Sequence, residues 1–192
     1  GLGDVYKRQP SAVPIAEGWH IPQALDEAGL SRIREAFIDS TCRAARLGLD
    51  AVELHAAHGY LLHTFLSPVS NQREDQYGGS FDNRVRFPIE ILSAVRKAWP
   101  AEKPLIVRLS ATDWIEGGWS LEQSIALAPL LEEAGCDVIH VSSGGVSPHQ
   151  QLPSTGPGYQ TGLAAAIRQH TSLPVIAVGM ITDPVQAEHI LN

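Results

Sequence analysis

Residues 50–55, Asp50-Ala51-Val52-Glu53-Leu54-His55, make a short and largely apolar run that ends on a histidine. A run of this length bounded by turn residues reads as a buried strand. Gly48 stops the segment before it, where Ile33, Phe37, Thr41, Ala44 and Ala45 recur at helical spacing from a start near Leu30, with Ser31 as the candidate cap. The same order repeats downstream. A helix is expected over about 83–99, with Val85, Ile89, Leu92 and Val95 on one face, and the strand Leu105-Ile106-Val107-Arg108-Leu109 follows Pro104. Ser120 caps the next helix, with Glu122 and Gln123 in its first turn, and Gly135 ends it. Val138-Ile139-His140-Val141, a helix over about 162–169, Pro174-Val175-Ile176-Ala177-Val178 and a helix opened by Asp183-Pro184 complete the pattern.

Four strands, each followed by a helix, mean a parallel sheet covered by helices. The eight-stranded (β/α)8 TIM barrel and the doubly wound sheet both fit that description. The barrel is favoured because His55, Arg108, Ser142 and Gly179 all fall at strand C-terminal ends, where barrel enzymes assemble their sites from several strands. No Gly-rich dinucleotide fingerprint follows a strand. The fold class is therefore α/β, with about four of the eight β/α units of a barrel. Residues 10–192 form that partial barrel, its first units and last strand missing. Residues 1–9 read as a remnant foreign to the fold, and 10–28 as loop, punctuated by Pro10, Pro14, Gly18 and Pro22. Residues 58–83 read as one long loop, too long for a plain connector.

Composition narrows the function. Asp and Glu outnumber Lys and Arg by 21 to 14, for a net charge of −7, which argues against nucleic acid or an anionic membrane as partner. No apolar run approaches the roughly 20 residues of a membrane span, and no leader pattern opens the chain. Cys42 and Cys136 lie far apart without metal-type spacing; as small buried apolar residues they suit a reducing cytoplasm.

His55 and His58 are three apart at a strand end. Such a pair can be structural, can ligate a metal, or can converge two ring donors on one oxygen. No third ligand is evident nearby, so no metal is expected. Two donors on a carbonyl oxygen would stabilise negative charge developing there, and Tyr60 carries a phenol that can deliver a proton or only shape the pocket. Arg108 can sit in an ion pair or present its planar, permanently charged fork to a ligand. Gly179 can be a ligand-approach point or a plain turn. Asp75, Tyr77, Gly78 and Gly79 fold a polar loop over the barrel, and Arg84 could pair with a carboxylate. Ser142 and Ser143 are mouth residues without an assigned role, and Trp114 and Trp119 are read as packing residues.

The run from Glu53 to Leu61, followed by Phe65-Leu66-Ser67-Pro68, Asn71-Gln72-Arg73, Asp75, Tyr77-Gly78-Gly79-Ser80 and Asn83-Arg84, resembles the old yellow enzyme family. Val107-Arg108-Leu109-Ser110, Gly117-Gly118-Trp119, Val141 to Gly145 and Val178-Gly179-Met180-Ile181 match in order, so the resemblance covers about residues 10–192, and it is nearest the bacterial thermophilic-like class with paired histidines. It implies an FMN-dependent oxidoreductase that uses NADPH or NADH to reduce activated C=C bonds of α,β-unsaturated carbonyl compounds. His55 and His58 would hold the carbonyl oxygen, Tyr60 would supply the α-proton, Arg108 would face the flavin N1 and O2 edge, and the Gly179 backbone would approach the FMN phosphate. The whole protein would be a cytoplasmic homo-oligomer. Flavin contacts that the family places on its first three strands and its last strand lie outside this chain, so the chain alone is expected to be an inactive half-barrel. A related FMN barrel reductase, such as a dienoyl-CoA reductase, is the alternative.

Overall fold

The computed structural model describes residues 7–153 and 155–191. A small parallel pair comes first, β1 (Arg8–Gln9) against β2 (Gln23–Ala24). Then follow α1 (Glu27–Arg46), β3 (Val52–Ala56), α2 (Leu61–Leu66), α3 (Phe81–Ala98), β4 (Leu105–Ser110), α4 (Leu121–Glu133), β5 (Val138–Ser142), α5 (Thr161–Arg168), β6 (Val175–Ala177) and α6 (Pro184–Leu191). Strands β3 to β6 form one parallel sheet in sequence order. That order separates the two candidate architectures. A doubly wound sheet reverses its strand order at a switch point, whereas a barrel wall adds each strand beside the last. The sheet is a segment of barrel wall.

Its two faces differ because side chains alternate along each strand. Leu54, Val107 and Ile139 share one register row and are buried in a single apolar cluster with Ile91, Leu92 and Val95 of α3 and Leu127 and Leu131 of α4. His55, Arg108, His140 and Ile176 share the adjacent row and point to the opposite, inner face. The helices thus seal one side of the sheet and leave the other for polar groups.

Several local expectations shift. Helix α1 is capped by Asp26, whose carboxylate accepts from the Gly29 amide at 2.6 Å, rather than by Ser31, and it starts about three residues earlier than predicted. An extended Asp just before the first turn is a strong cap, and Ser31 is already inside the helix. The segment 10–28, read as loop, contains β2. Arg8 and Gln9, which the sequence assigns to the foreign remnant, pair with it, and Gln9 is buried; residues 1–6 of that remnant lie outside the described residues. Cys136 is buried and Cys42 half-buried, both as free thiols. No helix among the described residues is long and apolar enough to cross a membrane.

The long loop after β3 is not unstructured. Its apolar run Leu61-Leu62-His63-Thr64-Phe65-Leu66 forms α2, buried almost throughout. The stretch from 67 to 80 is then held by side chains bonded to backbone carbonyls within it and beside it. The Asn71 amide donates to the carbonyls of Phe65 (2.7 Å) and Tyr77 (2.8 Å). Arg84 is buried and donates to the carbonyls of Leu66 (2.8 Å) and Gly79, not to a carboxylate. Arg73 reaches the carbonyls of Pro10 (2.8 Å) and Leu25 (2.6 Å) and pairs with Asp75 (2.5 Å), which holds that carboxyl below its usual range. Replacing Asn71 with Ala strands two carbonyls away from water and should lower the unfolding free energy by about 1–3 kcal/mol. Urea denaturation measures this, and a loss below about 0.5 kcal/mol, the range of an ordinary surface change, would contradict the role assigned to Asn71.

Candidate active site

After β3 the chain turns sharply. His58 (φ 58°) and Gly59 (φ 76°) are consecutive left-handed residues, and Tyr60 then leads into α2. The turn folds the three side chains together: the His55 and His58 rings meet edge to face at 5.1 Å between centroids, and the Tyr60 ring lies 4.7 Å from that of His55. His55 and Tyr60 line a cavity of about 850 Å3 bounded also by His20, Gln23 and Phe37.

The ends of β4 and β5 hold this turn in place. The Ser110 hydroxyl accepts from the His58 amide (3.0 Å) and donates to the Gly144 carbonyl (2.8 Å). Ser142 lies beside Ser110 in register, and its Oγ is 2.7 Å from His58 Nε2. The turn also packs directly on the backbone after β5. A Cβ on Gly59 would lie 2.4 Å from the Gly145 carbonyl oxygen, and one on Gly145 would lie 2.4 Å from His58 Cα. Only two glycines permit that approach.

Arg108 is directly opposite His55 in the ladder, and His140 is directly opposite Arg108. Across this row His55 Nδ1, Arg108 Nε and His140 Nε2 are buried without a hydrogen-bond partner. His140 is anchored from its other nitrogen, with Nδ1 2.7 Å from Glu53 Oε2. Buried polar nitrogens without partners are uncommon and each costs about 1–3 kcal/mol, so three in one row mark a surface shaped for a ligand. Burial, followed by the Arg108 charge, lowers the pKa of His58 to about 4 and also depresses that of His55, partly opposed there by Glu53. Both rings are therefore neutral at neutral pH, each carrying a single N–H.

Of the residues predicted from sequence, the structure brings His55, His58 and Tyr60 together and sets Arg108 beside His55. Gly179 stands apart, just beyond β6, with φ 116°, on a second cavity of about 950 Å3 lined by Val178, Met180 and Ala164. A Cβ there would come within 2.8 Å of the Gln160 side chain. Ser110, Ser142 and His140 are additional members of the site. Their signal in the sequence is alternation: each lies two residues from another inner-face position on its strand. Trp119 is a packing residue, 1% exposed and stacked on Phe81. Among the described residues no group of three or more His, Cys, Asp or Glu side chains is gathered as a metal site.

The family model for NADH:flavin oxidoreductase / NADH oxidase matches residues 6–192. The chain belongs to that family. It is 42% identical to an NADPH dehydrogenase of Geobacillus thermodenitrificans over 95% of its length, which is 53% of that relative, and 42% identical to an NADH:flavin oxidoreductase of Gibberella zeae, of which it covers 48%. Among solved structures it superposes on a 2-naphthoyl-CoA reductase complex with a TM-score of 0.86 at 31% identity, covering 94% of this chain and 28% of that one. Morphinone reductase in complex with tetrahydroNAD gives 0.75 at 30% identity, covering 96% and 52%. The chain thus spans about half the length of the curated relatives it matches.

The inner-face row suits the flavin that gives the family its name. The pyrimidine edge of an isoalloxazine alternates carbonyl oxygens and nitrogens, and a guanidinium beside ring nitrogens supplies matching donors with positive charge. The depressed histidine pKa has a measurable sign. Because folded His58 resists protonation while the unfolded residue titrates at its ordinary 6.5, acidification from about pH 6.5 toward 4 favours the unfolded chain, and stability should fall over that window. NMR titration of the ring should place His58 near 4; a midpoint at or above 6.5 would remove the buried, neutral imidazole from the site.

Proposed function

We propose that the whole protein carrying this chain is an FMN-dependent oxidoreductase that uses NADPH or NADH to reduce activated C=C bonds of enone-type substrates. The observation that carries the reading is the convergence of two neutral imidazoles and a phenol beside a row of unpaired buried nitrogens on the inner face of the barrel wall. FMN, when bound and reduced by the nicotinamide, would supply hydride chemistry at the substrate β-carbon. The chain's own residues do the rest. His55 and His58 each donate one N–H to the carbonyl oxygen and stabilise the negative charge gathering there, an effect worth about 100- to 1,000-fold per donor in comparable sites. Tyr60 delivers the proton to the α-carbon. Arg108 would face the N1 and O2 edge of the flavin and offset the charge of the reduced ring, and Gly179 would give its backbone to the phosphate. A homo-oligomer in a reducing cytoplasm fits the acidic, disulfide-free chain.

A second reading, reduction of a conjugated CoA thioester, is favoured by the likeness to 2-naphthoyl-CoA reductase. The thioester carbonyl would use the same two donors. Activity on cyclohexenone against activity on an enoyl or dienoyl thioester separates the two.

The full-length protein should purify yellow and oxidise NADPH in the presence of cyclohexenone; a colourless protein that takes up no added FMN would refute the proposal. Substituting Ala for both His55 and His58 should leave flavin bound while kcat/KM for the enone falls by at least about 100-fold. Tyr60→Phe should slow enone reduction and spare flavin reduction. The 192-residue chain alone should lose its flavin on gel filtration, since it holds only part of the cofactor surface.

A further inference from the structure

We propose that the buried His63–Asp113 pair is the positioning couple of this site, fixing the left-handed turn that presents His58 and Tyr60. The proposal rests on the reading that those two side chains act on the substrate oxygen and α-carbon. Neither His63 nor Asp113 touches the cavity, and both are fully buried. The Gly59 amide lies 2.8 Å from His63 Nδ1, and His63 Nε2 lies 2.8 Å from Asp113 Oδ1.

Hydrogen bonding determines where the proton sits. A backbone amide can only donate, so Nδ1 must offer a lone pair and the ring proton is on Nε2, directed at the carboxylate. Asp113 is satisfied on its other oxygen by the Ser67 hydroxyl (2.5 Å) and the Trp119 amide (2.6 Å). A continuous chain of bonds thus runs from the loop after β4, through α2, to the turn after β3.

The turn needs such an anchor. A histidine with φ 58° is in a region L residues avoid, and it persists only where the surroundings over-determine it. The His58 amide is held by Ser110 and the Tyr60 amide by the Ala57 carbonyl (3.1 Å). The His63 ring holds the amide between them. Stability alone gives a poor account of the pair, because an ionised carboxylate and a neutral imidazole taken fully out of water carry a desolvation cost that an apolar pair of similar volume would not. What an apolar replacement cannot do is accept the Gly59 N–H in a fixed direction.

The test compares wild type with His63→Ala, His63→Gln and Asp113→Asn in the FMN-loaded full-length protein. Three readouts are used: amide exchange at Gly59 against β4, titration of the His58 ring, and binding of a phenol together with enone kinetics. In His63→Ala, Gly59 exchange should rise about 100-fold relative to β4, the His58 midpoint should move up toward 6.5, and kcat/KM should fall by about 10- to 100-fold with flavin retained. His63→Gln, whose amide oxygen and NH2 can meet Gly59 and Asp113, should restore most of each. Nitrogen shifts of the wild-type ring should show the proton on Nε2 and need no variant to fold. A proton found on Nδ1, or an unchanged His58 midpoint and phenol affinity in His63→Ala, would overturn the proposal. Uniformly faster exchange without rescue by Gln would do the same, by reducing the pair to a general stabiliser. Wild-type protein that neither binds phenol nor reduces an enone would instead sink the functional reading, while exchange and ring shifts still decide whether His63 holds the turn.

Discussion

The parallel register that sets His55 beside Arg108, and Arg108 beside His140, is the constraint on which the rest of the structure depends. A slip of one residue would turn every side chain of a strand to the other face. Leu54, Val107 and Ile139 would leave the apolar cluster under the helices, and three nitrogen-bearing side chains would take their place. The hydrophobic effect therefore aims the polar row indirectly, by burying its neighbours. Helices α3 and α4 determine through their packing which way His55 and Arg108 point.

A second layer of order comes from polar side chains that bond to backbone rather than to each other. Asn71, Arg73 and Arg84 all donate to backbone carbonyls, those of Phe65 and Leu66 in the last turn of α2 and those of Tyr77, Pro10 and Leu25 in segments without regular structure. This satisfies groups that would otherwise be buried and unpaired and lets the polar stretch after α2 stay compact. Ser110 and Ser142 do a related job at the strand ends, where short side chains can reach across to the neighbouring loop.

Much of this was legible in the sequence, and the rest was not, for physical reasons. Apolar runs such as Leu105 to Leu109 announce strands because burial on the sheet is encoded locally. Ser120 and Gln123 announce a helix start because a capping box is local too. The convergence of His55, His58 and Tyr60 follows from a strand end and a short turn. Other features depend on partners far along the chain. Helix α2 has no side-chain cap at Tyr60 and is stabilised by burial, so its six residues read as part of a loop. The sequence leaves a carboxylate open as a partner for Arg84, but its acceptors are the carbonyls of Leu66 and Gly79, presented by a fold that the sequence does not display. His63 finds Asp113 fifty residues away, a meeting that only the tertiary structure arranges. The two-residue strands β1 and β2 are too short to carry any periodicity.

The contact between Gly59 and Gly145 has a consequence for how the family can change over time. The obstacle to a side chain at either position is main chain of the other segment, a carbonyl oxygen in one case and a Cα in the other. No substitution elsewhere removes main chain, so compensating mutations are closed to this pair. Widening this part of the mouth therefore calls for a change in the length of one of the two segments, the turn after β3 or the loop after β5, rather than a change of side chain.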